Sequence, residues 1–541
     1  MMIFIQRGLV IILLLALIVI SGEPVLANTT NRNQELIQPP IKITEGFKNI
    51  AYNPDSVDEE GINKFAWRDF IALNWPVDCQ GKALYYNDPQ SGNKLSKIIG
   101  QAPEAPRVWE LYPSPKNVFL PQGRQPSLLD KLPEVSQCLN DGHGSEIEYN
   151  QNLRLTETGE LAGKEKLFAV EIANRKDLLD GYGELKDQIW LDSIDSANRF
   201  PLVDMQGNYV INEIRLNPVE FRQIVKNKWY DATQLALLKK SNKPFQMVCS
   251  AGLKPDIAKN YCDEYEAEGA IQIKAAWRVF DGRNTEQEKA RYYITKRRIV
   301  DTTGKVLDEK AELGLIGFHI MHKTSHQSWI WSTFEHIDNA PSCGSEGTRH
   351  YTLHNNECST GNCLENWPYV KPPYLWRTTN DRAKAIAMER MKIKDQIPSQ
   401  ICRSSPISKS AQNHNEVWHN AFRQIDKSSV WQYYRLMGTE WLQHPQIPYS
   451  HKTGQRRKIT PVKRFLINVS LEPYAQGVSC IVCHTSAHLP GLGNFCELNV
   501  KDKEDNDKMC RRVPKTNACA DFSFLMKNAQ LSQPSALKQN W

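Results

Sequence analysis

Residues 477–490 read GVSCIVCHTSAHLP, with two cysteines three apart, a histidine directly after the second, and another histidine four residues later. Cys480, Cys483 and His484 restrict this chain more than any other feature, because each chemistry open to them demands its own surroundings. A structural zinc site takes its second ligand pair from a dozen or more residues away; the adjoining His484 and the close His488 fit that poorly. A dithiol oxidoreductase places C-x-x-C after a strand near the start of a βαβ unit, whereas this motif lies near the C-terminus. Covalent haem attachment needs no adjustment. Two thiols a helical turn apart reach the two vinyl groups of one porphyrin, and the next residue offers its imidazole to the iron. The spacing predicts one haem c per chain, with thioethers at Cys480 and Cys483 and with His484 as axial ligand.

The N-terminus agrees with the compartment in which such haems are attached. MMIFIQRGLVIILLLALIVISGEPVLANTT carries a lone Arg7, an apolar run from Leu9 to Ile20, and small residues up to Ala27. This is the anatomy of a secretory signal cut after residue 27. The alternative is an N-terminal membrane anchor, for which the run is short, since a span needs about 20 apolar residues. The expected location is the bacterial periplasm or an equivalent extracytoplasmic space. Thirteen cysteines follow the signal, and spare thiols in an oxidising compartment pair. Cys358 and Cys363, flanking a small glycine-containing loop, are the pair most readily closed. The net charge of +6 is modest and scattered, so there is no nucleic-acid footprint.

The chain divides into the signal (1–27), an irregular arm rich in Asn, Pro and Gln (28–60), an α+β body with a β-rich centre (61–400), and a helical, loop-rich haem-binding segment (401–541). INKFAWRDFIALNWPV (62–77) spaces its apolar residues as one helical face and stops at Pro76. FPLVDMQGNYVINEIRLN (200–217) reads as a hairpin turning at Gln206-Gly207-Asn208. Four segments between 270 and 338 are short, rich in β-branched and aromatic residues, and bounded by turn residues; they predict one antiparallel sheet. Residues 410–443 read as helix, and its Trp418 and Trp431 are expected to pack near the haem segment. The class is α+β: a central antiparallel sheet, helices at both ends, and a C-terminal c-haem segment integrated into the body.

Four blocks, AWRDFIALNWP, GFHIMHKTSHQSWIWSTFEHIDNAP, SVWQYYRLMGTEW and LINVSLEPYAQGVSCIVCHTSAH with ADFSFLM, run in this order between residues 66 and 526. Together they resemble a group of large exported single-haem bacterial proteins known only as cytochrome c family proteins. The resemblance implies a c-type haem and no established substrate. Copies of the pattern carry an aliphatic residue where this chain has Met437 and Met526, which counts against either methionine as the family's sixth ligand.

The opposite side of the iron is open to His319, His336, Met526 or Met509, or to no protein side chain at all. The run His319-Ile-Met-His322-Lys-Thr-Ser-His326, with His336 on the next strand, gathers histidines that include packed sheet residues. On an extended strand His319 and His322 face opposite ways. His319 or His336 is expected over Met526 or Met509, as iron ligand or as an acid–base group. Trp329 and Trp331 alternate onto one face as core. The chain has no H-E-x-x-H, Walker or dinucleotide-binding motif, so zinc-protease, kinase and NAD-enzyme readings have no support. The size of the body favours a haem-dependent periplasmic oxidoreductase that exchanges electrons with a soluble or membrane redox partner. The alternative is a non-catalytic electron-transfer or haem-based ligand-binding protein.

Overall fold

The computed structural model describes residues within 54–126, 168–171, 202–247, 269–358, 364–367, 398–442, 466–489 and 520–531. Residues 1–27, expected to be a signal, lie outside these. Among the described residues, no helix is long and apolar enough to cross a membrane.

A small hairpin joins β1 (Tyr85–Asn87) to β2 (Lys94–Ser96), and all other strands share one seven-stranded sheet. Its members are β3 (Phe168–Glu171), β4 (Ile211–Leu216), β5 (Ile271–Phe280), β6 (Ile294–Val300), β7 (Val306–Thr324), β8 (Ser328–His336) and β9 (Tyr434–Trp441). The long β7 organises the sheet. One of its edges pairs with β5, and β5 with β4; the other edge takes β6 along its first half and β8 along its second. β9 then adds to β8. Every pairing except that of β3 with β6 is antiparallel. The four segments between 270 and 338 thus form the antiparallel sheet that their composition predicts.

All nine residues of β8 are buried, so this strand is covered on both faces and the alternation of its side chains separates two layers. On face one, Phe318, Ile320 and Phe334 join the core with helix α1 (Glu59–Leu73), and Ile330 packs against α1 beside Phe65. Asp58 caps α1 by accepting from the Gly61 N–H, and Asn74 closes it ahead of Pro76. Phe70 stacks on Phe334 at 4.2 Å, and Trp67 on Trp418 at 5.8 Å.

On face two, Met321, Trp329 and Trp331 pack with helices α2 (Pro218–Lys226) and α3 (Ala232–Lys240) and with the C-terminal residues Ile481, Ala487, Leu489, Phe522 and Met526. The C-terminal segment is therefore a layer of the fold, laid across the sheet.

Two expectations are corrected here. Helix α4 (Lys409–Ile425) ends at Asp426; a 3-10 turn follows at Val430–Tyr433, and residues 434–441 are strand β9 rather than helix. Trp418 and Trp431 both lie in the face-one core, so the sheet separates them from the C-terminal layer. β-branched and aromatic residues after Ser428-Ser429 suit a strand, and helical periodicity alone did not mark the break at Asp426. Residues 203–209 do turn at Gly207, with a bridge between Val203 and Tyr209, but β4 takes β5 as its strand partner.

The layer is fastened at its start. A bulge at Thr333–Phe334 interrupts the ladder with β9, which leaves the Phe334 carbonyl open to another donor. Asn468 Nδ2 donates to it and to Thr333 Oγ1, both at 2.8 Å. Glu335 accepts from the Val469 N–H and pairs with Arg403 and Arg435. Cys343 and Cys402 form a disulfide beside this point, and Gln476 Nε2 donates to the Cys402 carbonyl at 2.8 Å. Cys358 is also disulfide-bonded; Cys363, its expected partner, lies outside the described residues.

Gly317 sits directly beneath the crossing, where an added Cβ would stand 2.1 Å from Ser470 Oγ and 3.3 Å from the Ala276 Cβ. Gly317→Ala is expected to cost about 1–3 kcal/mol, the range for overpacking. Urea denaturation checks this; a change within a few tenths of a kcal/mol would mean that the crossing is not tight.

Candidate functional site

Helix α5 (Cys480–His484) carries the motif. So short a helix has no stability of its own, and tertiary contacts hold it. Glu440, buried on β9 opposite Trp331, reaches its first turn. One carboxylate oxygen accepts from Ser479 Oγ at 2.5 Å and the other from the Ile481 N–H at 3.0 Å. Glu440 thus does the work of an N-cap from a distant strand. Burial pushes its pKa up to about 7 against the hydrogen bonds it receives.

Cys480 and Cys483 are thiols, each partly exposed. Burial, and then the acids Glu440 and Glu472, raise the Cys480 pKa well above its ordinary value. Among the described residues, the one grouping of three potential metal ligands is Cys343, Glu365 and Cys402, and its two cysteines are already joined to each other.

His484 is fixed through its Nδ1, which donates to the Phe522 carbonyl at 2.7 Å. A carbonyl only accepts, so Nδ1 carries the proton and Nε2 keeps a bare lone pair. Burial draws its pKa down to about 4, so the ring is neutral at pH 7. Trp331 and Phe524 flank it, with ring centroids at 5.9 and 5.0 Å.

The carbonyl that orients His484 comes from a strained turn. Ser523 N–H donates to the Ala520 carbonyl, and both central residues, Asp521 and Phe522, have positive φ of 46° and 66°. Neither is glycine, and each such conformation costs on the order of 1–2 kcal/mol. Neighbours hold the turn in place. Lys323 Nζ reaches both Asp521 carboxylate oxygens at 2.8 and 2.6 Å, the Met247 N–H donates to Oδ2, and Trp329 Nε1 donates to the Asp521 carbonyl. Ser523 Oγ in turn accepts from Gln272 Nε2, which also donates to Glu220.

His319 faces the same layer. Its Nε2 lies 2.6 Å from Glu472 Oε1, and both side chains are partly exposed. Burial alone would raise the Glu472 carboxyl, but His319, Lys274 and His484 together hold it below its ordinary range. His322 faces the opposite way, as strand alternation requires, and pairs with Asp69 of α1 at 2.8 Å.

His336 lies on face one, stacked on Tyr292 at 3.9 Å. Its Nε2 donates to the Arg291 carbonyl, while its Nδ1 accepts from the Asp338 N–H. Both nitrogens are engaged, and burial draws its pKa down to about 3. Met526 is buried in the 3-10 turn Phe524–Asn528, within the core that also holds Ile481. Met509, His326 and His488 lie outside the described residues.

These residues fit a covalently bound porphyrin. Two thiols share one helical turn, a neutral imidazole presents a lone pair, and aromatic rings wall the space. Two buried polar atoms in this neighbourhood, Trp331 Nε1 and Glu472 Oε2, have no hydrogen-bond partner among the described residues; a porphyrin carboxylate can accept from the first. Spacing alone could not single out Glu440, Glu472, Lys323, Asp521 or Trp331, because each is defined by what lies opposite it across the sheet. No protein-family model, curated protein or solved structure matches the chain.

The raised acids give the layer a pH dependence. Folded Glu440 binds its proton more tightly than the unfolded chain does, so its contribution is complete below about pH 4.5 and is lost as pH rises through about 7. Glu220, raised by burial to about 8, acts in the same sense. His484 and His336, both depressed, act oppositely, and only below their ordinary value of 6.5. Between pH 6.5 and 8 the acids act alone, and stability should fall. Glu440→Gln should remove a share on the order of 3 kcal/mol accumulated across the window from pH 4.5 to 7. Urea titrations of both proteins at several pH values test this; parallel curves would refute it.

Proposed function

We propose that the chain is an exported c-type haem protein carrying one haem, and that it works as a periplasmic oxidoreductase. The observation that carries the reading is the His484 tautomer: its Nε2 lone pair is bare, beside two thiols on one helical turn. In this reading Cys480 and Cys483 would hold the porphyrin through thioethers and His484 would bind its iron. A bound haem supplies a one-electron couple and an iron face for small ligands. The chain's own residues do the rest. The Phe522 carbonyl fixes the imidazole, and such outer partners govern ligand orientation and basicity. Trp331, Phe522 and Phe524 exclude water on one side, while the partial exposure of both cysteines leaves an edge for electron exchange with a soluble or membrane redox partner. The resemblance to cytochrome c family proteins points the same way.

That exposed edge also favours a second reading, a non-catalytic electron-transfer or ligand-binding protein. Protein produced in a host with c-type maturation should retain haem through denaturing electrophoresis. A carbon monoxide difference spectrum then separates the readings, since only an open or weakly held sixth position binds it. Wild-type protein without covalent haem would overturn both.

A further inference from the structure

We infer that His319 and Glu472 form a binding subsite for small weak acids of the H–X type, such as hydrogen cyanide or hydrogen peroxide, and that His319 is not an iron ligand. The inference rests on the haem reading above and adds to it a ligand class and the residues that meet the ligand.

Two parts of the chain meet here, β7 with His319 and the turn after Asn468 with Glu472. His319, Glu472 and Lys274 each act electrostatically on His484 of α5. Lys274 is the cross-strand partner of His319 on β5. The surroundings of His484 are thus apolar where Trp331 and Phe524 stand and polar where this group stands.

The His319–Glu472 bond decides the role of the imidazole. Histidines ordinarily ligate haem iron through Nε2, and here that atom is committed to a carboxylate at 2.6 Å. Glu472 cannot follow a moving imidazole, because its backbone N–H donates to the Asn468 carbonyl while Asn468 is pinned to Thr333 and Phe334. A carboxylate on one ring nitrogen orients the imidazole and fixes which nitrogen carries the proton. Nδ1 has no hydrogen-bond partner among the described residues, and the side chains are 20% and 21% exposed, enough for a small molecule to arrive from solvent. Glu472 Oε2 is buried, has no hydrogen-bond partner among the described residues, and offers a second acceptor. In the proton step, Nδ1 takes the proton of H–X: the X–H bond breaks, its electron pair stays on X, and the new N–H then donates a hydrogen bond to X⁻. No oxidant or reductant is required.

The probe is cyanide added to ferric holoprotein. His319→Leu should slow cyanide binding about 100-fold, within the range for a positioned general base, and leave the ferrous optical spectrum unchanged. Glu472→Gln, nearly isosteric, should slow it in the same direction by a smaller factor, and it decides the matter if the leucine variant fails to fold. Unchanged cyanide rates in the variants would overturn the inference. So would conversion of a six-coordinate ferrous spectrum to a five-coordinate one by His319→Leu, which would make His319 the ligand. Failure of the haem reading looks different, since the wild-type protein would then carry no covalent haem.

Discussion

Lys323→Met is expected to lower the unfolding free energy by about 3–5 kcal/mol, the cost of stranding a buried charge. Lys323 is 0% and Asp521 5% exposed, and the ammonium is the cation that meets both carboxylate oxygens. Without it, Asp521 keeps the Met247 N–H as a donor but must hold its charge in an apolar layer beside Trp329. The same carboxylate pins a turn with two residues in the left-handed region, so the strain of Asp521 and Phe522 loses its restraint as well. Phe522 should then withdraw its carbonyl from His484. Guanidinium denaturation reads the first effect. If the proposed haem is present, a shift of the reduction potential reads the second, because the His484 imidazole would lose its hydrogen-bond partner. Adding Asp521→Asn to Lys323→Met should recover much of the stability, since removing both charges avoids the stranded one. A single variant within 1 kcal/mol of wild type would show that the pair does not hold the turn.

Replacing Cys480 and Cys483 together by alanine is expected to reduce covalent haem to background after denaturing electrophoresis. Residues three apart on a helical turn project to the same side, so in the haem reading both thiols would serve one porphyrin, and each single variant should retain haem through the remaining thioether. The apoprotein should fold much as before. Both thiols are partly exposed; Ser479, Ile481 and the carbonyl-bound His484 anchor α5 without them, and the Cys480 thiol adds one hydrogen bond to Glu440. Wild-type protein with the two cysteines oxidised to each other and no haem would reverse the assignment.

The elements legible in the sequence are those whose signal is local. Strands between 270 and 338 announce themselves by β-branched and aromatic residues between turns, and α1 by its apolar face and its stop at Pro76. The antiparallel sheet and the α+β class follow from these. The opposite facing of His319 and His322 follows from the two-residue repeat of a strand and needs no tertiary information. β9 was not legible as a strand, because YRLMGTEW has a pattern equally compatible with a helical face and is settled only by the edge of β8 on which it pairs.

His319 and His336 show where sequence reading stops. Both lie in strands of similar character, and nothing local separates them. The sheet puts His319 on the face covered by the C-terminal layer, beside Glu472, and His336 on the other face, with both nitrogens spent on backbone groups.

By itself the sequence determined which groups residues 480–484 offer, two thiols three apart and an adjoining imidazole, since these are covalent facts of the chain. It also determined the strands, whose side chains must alternate. Which layer covers which face, which carboxylate caps α5, which carbonyl orients His484 and which histidine stands near it were decided by tertiary structure alone. His319 meets Glu472, Lys323 meets Asp521 and Glu440 meets the start of α5, and these pairings come from strand register and from the burial of an apolar layer, neither of which is encoded in any short stretch of sequence.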